Sequence, residues 1–292
     1  NRVMVVELAL PAMLPGALVG LHYAIQVLRP RWGYGSDVGG RRTPWIIGGM
    51  LVLAAGGVLA AYATALMASS PITGITVSVI AFIIIGCGVG ASGTSLLVFM
   101  AVSVNKQRRA AAASIVWLMM IAGIAITAGI AGKMLDPFSF ERLVLVTSTV
   151  CTLAVILTIA SIWGLEQTSV TIPEERNKNI NDGGFFAAIR TVWSEPKARK
   201  FSIFVFASML AYSAQDLVLE PFAGAVFKMT PGESTQLSGV QHGGVFTGMV
   251  LVALLGSGVA RGRFGSMRAW TVGGCLASAA AHCSLVVAGS IG

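Results

Sequence analysis

Several side chains able to do chemistry stand inside long apolar runs. Asp216 and Glu220 lie one helical turn apart on one face of the run 201–227, with Gln215 next to Asp216. Arg2 and Glu7 stand in the apolar run that opens the sequence. An ionised group in hydrocarbon is costly, so it faces a cavity or an opposite charge. Arg2, at the matching place in the first half, is the natural partner for Asp216. This predicts an intramembrane polar network of Arg2, Glu7, Gln215, Asp216 and Glu220 near the outer side. Such a network could couple a proton to movement or clamp helices together, and Glu220 could instead be wetted among headgroups.

Histidines form a second set. His22 falls about 16 Å into the run 11–28, with Gln26 on the same face. His282 is deep in the last run, and His242, with Gln241, is placed near the outer start of the run 237–260. A buried neutral imidazole can ligate a metal, including the magnesium of a chlorin, or can simply bond a neighbouring helix. His22, Gln26, His242 and His282 are therefore candidate pigment-binding residues. Cys87, Cys151, Cys275 and Cys283 all lie in apolar runs without CxxC spacing, so no other metal site is expected. A Walker loop, dinucleotide fingerprint and catalytic triad are missing from the sequence, and the expectation is a protein that is not an enzyme.

The elements that position these residues follow from composition. Hydrophobic residues make up 55% of the chain and charged ones only 11%, against about a quarter in soluble domains. Apolar runs fall at 1–10, 11–28, 44–68, 72–104, 110–135, 143–165, 201–227, 237–260 and 267–292. A span needs roughly 20 apolar residues, so these read as nine transmembrane helices, the first incomplete. The sequence reads as part of a longer protein. Of its 20 basic residues, 16 fall in alternate loops, which places those loops in the cytoplasm. The net charge of +8 is thereby explained without nucleic acid as a partner. Residues 165–200 form the one long polar insertion. There Phe185, Phe186, Ile189, Val192 and Trp193 fit an amphipathic helix lying on the membrane or packed beneath the bundle. The chain thus divides into a six-helix half (1–164), a cytoplasmic linker (165–200) and the start of a second half (201–292).

The loop Gly33-Tyr34-Gly35-Ser36-Asp37-Val38-Gly39-Gly40-Arg41-Arg42 matches G-x-x-x-D-x-x-G-R-R between spans two and three. It resembles the corresponding loop of the major facilitator superfamily. That resemblance implies an all-α polytopic membrane protein with a major-facilitator helical bundle, twelve spans in full and about nine here. It also implies a cytoplasmic latch made by Gly33, Asp37, Gly40, Arg41 and Arg42. Further stretches are similar to the PucC/LhaA family, the bacteriochlorophyll-delivery branch of that superfamily. They are Asn1 to Leu8, Arg41 to Ile46, and Ala211 to Phe222 with its Gln215-Asp216 and Glu220-Pro221. The resemblance implies a light-harvesting complex assembly factor in photosynthesis, serving core or peripheral antenna. Its expected ligands are bacteriochlorophyll a and a carotenoid or lipid. The expected partners are light-harvesting alpha and beta polypeptides, the reaction centre, bacteriochlorophyll synthase and membrane lipid. The expected location is the bacterial inner, intracytoplasmic photosynthetic membrane. Two other readings stand beside it: a secondary transporter of a small solute, proton-coupled through Asp216 and Glu220, and a structural membrane subunit.

Overall fold

Prolines mark where several helices begin. Pro44, Pro71 and Pro196 each occupy the first turn of a long helix, where a missing N–H costs nothing and the fixed φ suits the start. The computed structural model describes residues 1–29, 32, 41–165, 190, 193–255 and 267–291. Among these are eight α-helices: α1 (Met13–Ile25), α2 (Thr43–Met67), α3 (Pro71–Ser103), α4 (Arg109–Leu135), α5 (Phe140–Ile162), α6 (Pro196–Phe227), α7 (Pro231–Leu255) and α8 (Met267–Ile291). No strand occurs among the described residues. Helices α2 to α8 are each long and apolar enough to cross a membrane, and Met13–Leu28 forms a shorter apolar helix. The chain is an all-α, multi-pass membrane protein.

Two elements differ from the hydropathy reading. The opening run contains one π-helical turn, Val3–Glu7, and then breaks before α1. Helix α7 starts at Pro231, six residues earlier than the apolar run beginning at 237. The cause is a capping box: Glu233 Oε2 accepts from the Thr230 amide at 2.7 Å, and Thr230 Oγ1 accepts from the Glu233 amide at 3.1 Å. Polar residues at the start of a helix carry a cap signal that a hydropathy window overlooks. Helix α6 likewise begins at Pro196, so residues 196–200 at the end of the polar insertion are helical. Most of that insertion, including Phe185, Phe186, Ile189 and Val192, lies outside the described residues.

Small residues set the helix crossings, as packing in lipid requires. Helix α3 runs against α2 with Gly88 facing Leu53, Gly49 facing Ser92 and Gly56 facing Ile85. A Cβ on Gly49 would lie 2.5 Å from the Ser92 amide nitrogen, so the two backbones approach too closely for any side chain. Gly86 packs on Ile25 and on the His22 carbonyl, seating α1 against α3. Gly90 leaves room for the ring of Trp32. A second crossing joins α4 to α7. Gly132 of α4 faces Gly232 and Gln236 of α7, while Gly239 of α7 faces Gly129 and Ala125. Many of the glycines that could have made space for a flat ligand are therefore spent on packing, although Gly93 and Gly123 face open space. Large apolar side chains such as Met13, Ile72, Trp117 and Phe206 remain exposed around the flank, as a lipid-facing surface demands.

Candidate functional site

The polar site begins with the π-turn. In an α-helix, residues five apart point in different directions. The wider π-turn, closed by Leu8 N–H donating to the Val3 carbonyl at 3.0 Å, stacks residue i over i+5. It thereby sets Arg2 above Glu7, and Arg2 Nη1 donates to Glu7 Oε1 at 2.8 Å. Arg2 is 4% exposed, so its charge needs this partner. Its Nη2 donates to the carbonyl of Met229 in the turn between α6 and α7. That turn is held by Lys228, which caps α6 in the left-handed conformation at φ 56°, and by the Thr230–Glu233 box. Gly224 of α6 supplies the seat, since a Cβ there would lie 2.7 Å from Arg2 Nε. One arginine thus bolts the first segment to α6 and to the turn that follows it.

Helix α6 presents Tyr212, Asp216, Glu220 and Gly224 at four-residue intervals, a slowly winding stripe on one face. Asp216 does not pair with Arg2. It accepts from Gln241 Nε2 of α7 at 3.3 Å. Glu220, half-buried, lies within electrostatic reach of Arg2, Asp216 and His242. The reason is helix length: counted from Pro196, Asp216 stands about 30 Å along α6, and Glu220 is one turn nearer the Arg2 seat. Gln215 is half-buried on a neighbouring face and joins none of these bonds.

His242 lies 11 residues into α7, about 16 Å from its start, and so near the middle of the helix rather than at its beginning. Its Nδ1 donates to the Ser238 carbonyl at 2.8 Å, because a carbonyl can only accept. That leaves Nε2 as the lone-pair nitrogen, which takes a hydrogen bond from Tyr212 Oη at 3.2 Å. With both nitrogens engaged and 5% exposure, His242 is a helix-to-helix strut and a poor metal ligand. Tyr23 of α1 lies within electrostatic reach of Tyr212.

His22 differs. Its Nδ1 donates to the Val19 carbonyl at 2.8 Å, which fixes the tautomer and leaves Nε2 as a lone-pair donor with no hydrogen bond among the described residues. Its ring sits 4.1 Å from that of Tyr23 and 6.5 Å, edge-on, from Phe82. An imidazole oriented by a backbone carbonyl and flanked by aromatics could hold the metal of a flat cofactor. His282 has the same backbone bond, to Ser278 at 2.7 Å, but is exposed on α8. Gln26 accepts from Arg29 at the end of α1 and is thereby drawn away from His22. Among the described residues no cluster of three or more His, Cys, Asp or Glu could hold a free metal ion.

Of the latch, Gly33, Asp37 and Gly40 lie outside the described residues. Arg41 is exposed and Arg42 buried, immediately before α2. The residues not foreseen as part of the site are Tyr23, Tyr212, Gly224 and the Met229 carbonyl. The four-residue spacing from Tyr212 through Gly224 was the available signal for two of them.

The comparisons with known proteins agree along the whole chain. The family described as "PUCC protein" matches residues 1–292. The chain is 50% identical over 292 residues to the "Bacteriochlorophyll synthase 44.5 kDa chain" of Rhodobacter capsulatus, covering 100% of this chain and 66% of that relative. It is 26% identical over 273 residues to "Protein PucC" of Cereibacter sphaeroides, covering 88% and 58%. Against "Protein PucC" of Rhodovulum sulfidophilum it is 24% identical over 260 residues, covering 85% and 57%. The chain therefore spans about two thirds or less of the length of these relatives. On the match across all 292 residues, this membrane protein belongs to the PUCC family.

Proposed function

We propose that this protein is an assembly factor that binds bacteriochlorophyll within the membrane and hands it to light-harvesting polypeptides around a reaction centre. The observation that carries the reading is His22: a deep, half-buried imidazole with its Nε2 lone pair available beside Tyr23 and Phe82. A relative named "Bacteriochlorophyll synthase 44.5 kDa chain" supports bacteriochlorophyll as the chemical class of the cargo. Bacteriochlorophyll a is the pigment expected, and a carotenoid or lipid could share the apolar surface. In this reading the protein performs no covalent chemistry. The relative's name fits a chain that works beside a synthase and takes up its product.

The Arg2, Glu7 and Gly224 contact and the Tyr212–His242 strut then serve as clamps. They tie the first segment to α6 and α6 to α7, and so hold a pigment-handling bundle in shape. On this reading the basic loops face the cytoplasm, as the positive-inside rule expects, and the membrane is the photosynthetic inner membrane. The latch arginines Arg41 and Arg42 would then lie on the cytoplasmic side.

Proton-coupled transport of a small solute is the second reading, favoured by one observation: Asp216 is exposed, and Glu220 lies within electrostatic reach of both Asp216 and His242. An absorption spectrum of the full-length protein, purified from pigment-making cells, separates the two. Copurified bacteriochlorophyll supports the assembly factor. Colourless protein that catalyses counterflow of a polar solute overturns it.

A further inference from the structure

A cleft between α2 and α3 takes no part in the polar network. It encloses about 320 Å³ and is lined by Trp32, Pro44, Trp45, Val52, Cys87 and Ala91, with Gly48 in its wall. Among the described residues no side chain lining it is charged. It runs from Pro44, in the first turn of α2, to Val52, eight residues and about 12 Å further along. Half the hydrocarbon thickness of a bilayer is about 15 Å, so the cleft has the reach of one leaflet. Trp45 stands at its shallow end, a level at which indoles sit in membranes, and the ring of Trp32 packs against Gly90 further in. Arg41 stands exposed just before α2, and the helix start adds its own partial positive charge. No histidine lines the cleft, so a chlorin would find no nitrogen ligand for its magnesium here.

We infer that this cleft binds one acyl chain of an anionic phospholipid, whose phosphate is held by Arg41 at the start of α2. The chain lies between the two indoles and reaches Val52 and Cys87. This site is separate from His22 and stands whether or not the protein carries pigment.

The walls suggest the test. A Cβ on Gly48 meets nothing within 4 Å, so a leucine there starts from an uncrowded backbone position and extends into the cleft. Gly93 of α3 is equally open but outside the cleft, and serves as the control. In a variant whose other tryptophans (117, 163, 193 and 270) are phenylalanine, the emission of Trp32 and Trp45 is quenched by lipids with brominated acyl chains. Brominated phosphatidylglycerol should quench at about one fifth the mole fraction needed for brominated phosphatidylcholine, the preference one arginine gives near a membrane surface. Gly48→Leu and Arg41→Gln should each abolish that preference, and Gly93→Leu should keep it. Equal quenching by the two lipids in the parent, or a preference that survives Gly48→Leu, overturns the site. Should the multiple variant not fold, native mass spectrometry of the unaltered protein answers the same question. Retention of phosphatidylglycerol over phosphatidylcholine, lost in Gly48→Leu, supports the site, and equal loss of both lipids contradicts it.

Discussion

Gly224→Ala adds one methyl group at the point where the first segment meets α6. The new Cβ would lie 2.7 Å from Arg2 Nε, 3.0 Å from Nη2 and 3.1 Å from Val6 Cγ2. Ordinary contact begins at 3.4 Å, so the guanidinium must retreat by the difference, about 0.7 Å. It cannot do so freely, because the same group holds Glu7 at 2.8 Å and the Met229 carbonyl. Overpacking costs about 1–3 kcal/mol, and a weakened charged hydrogen bond about 1.5–3 kcal/mol. The two overlap, so a loss of about 2–4 kcal/mol is expected, read as a lower unfolding midpoint in detergent. The decisive comparison is a double-mutant cycle with Arg2→Ala. With the guanidinium gone, only the Val6 contact remains, and the penalty of Gly224→Ala should fall below about 1 kcal/mol. An equal penalty in both backgrounds would refute the seat.

Other outcomes can be stated from the same geometry. Tyr212→Phe deprives a buried His242 Nε2 of its donor and should cost about 1–3 kcal/mol in unfolding free energy. Thr230→Ala removes half of the α7 capping box and should cost about 1 kcal/mol, with Glu233→Gln costing less because an amide oxygen can still accept; both are read from unfolding midpoints. His22→Leu should lower copurified pigment without moving the thermal midpoint, whereas His242→Leu should lower the midpoint first. Asp216→Asn removes a charge that accepts one hydrogen bond from Gln241. In the assembly reading, antenna assembly by this variant keeps its dependence on pH, and a flattened pH profile would instead point to proton coupling.

Much of the architecture is written in the composition. Scarcity of charge and the spacing of apolar runs locate the seven long helices, because lipid leaves the backbone few alternatives. The first run escapes this logic. Its apolar residues look helical, but Val3–Glu7 winds as a π-turn and then breaks, which brings Arg2 over Glu7 instead of toward Asp216. Hydropathy also hides the polar opening of α7, and so places His242 too near the start of the helix. Periodicity puts Asp216 and Glu220 on one face and would have extended to Tyr212 and Gly224. The Met229 carbonyl is beyond any side-chain pattern, since it depends on a left-handed Lys228. For the histidines, sequence alone treats all three alike. Hydrogen bonding separates them: His242 has both nitrogens engaged, while His22 keeps one.

The central claim, that the protein carries pigment and gives it up to antenna polypeptides, is tested most directly by following the pigment itself. Full-length protein loaded with bacteriochlorophyll in detergent is mixed with pigment-free antenna alpha and beta polypeptides, and the pigment is tracked by absorption after the components are separated. The account predicts that pigment moves to the polypeptides, and that protein carrying His22→Leu has little to give. Pigment that stays on the protein, or that loads and transfers equally well without His22, would contradict it.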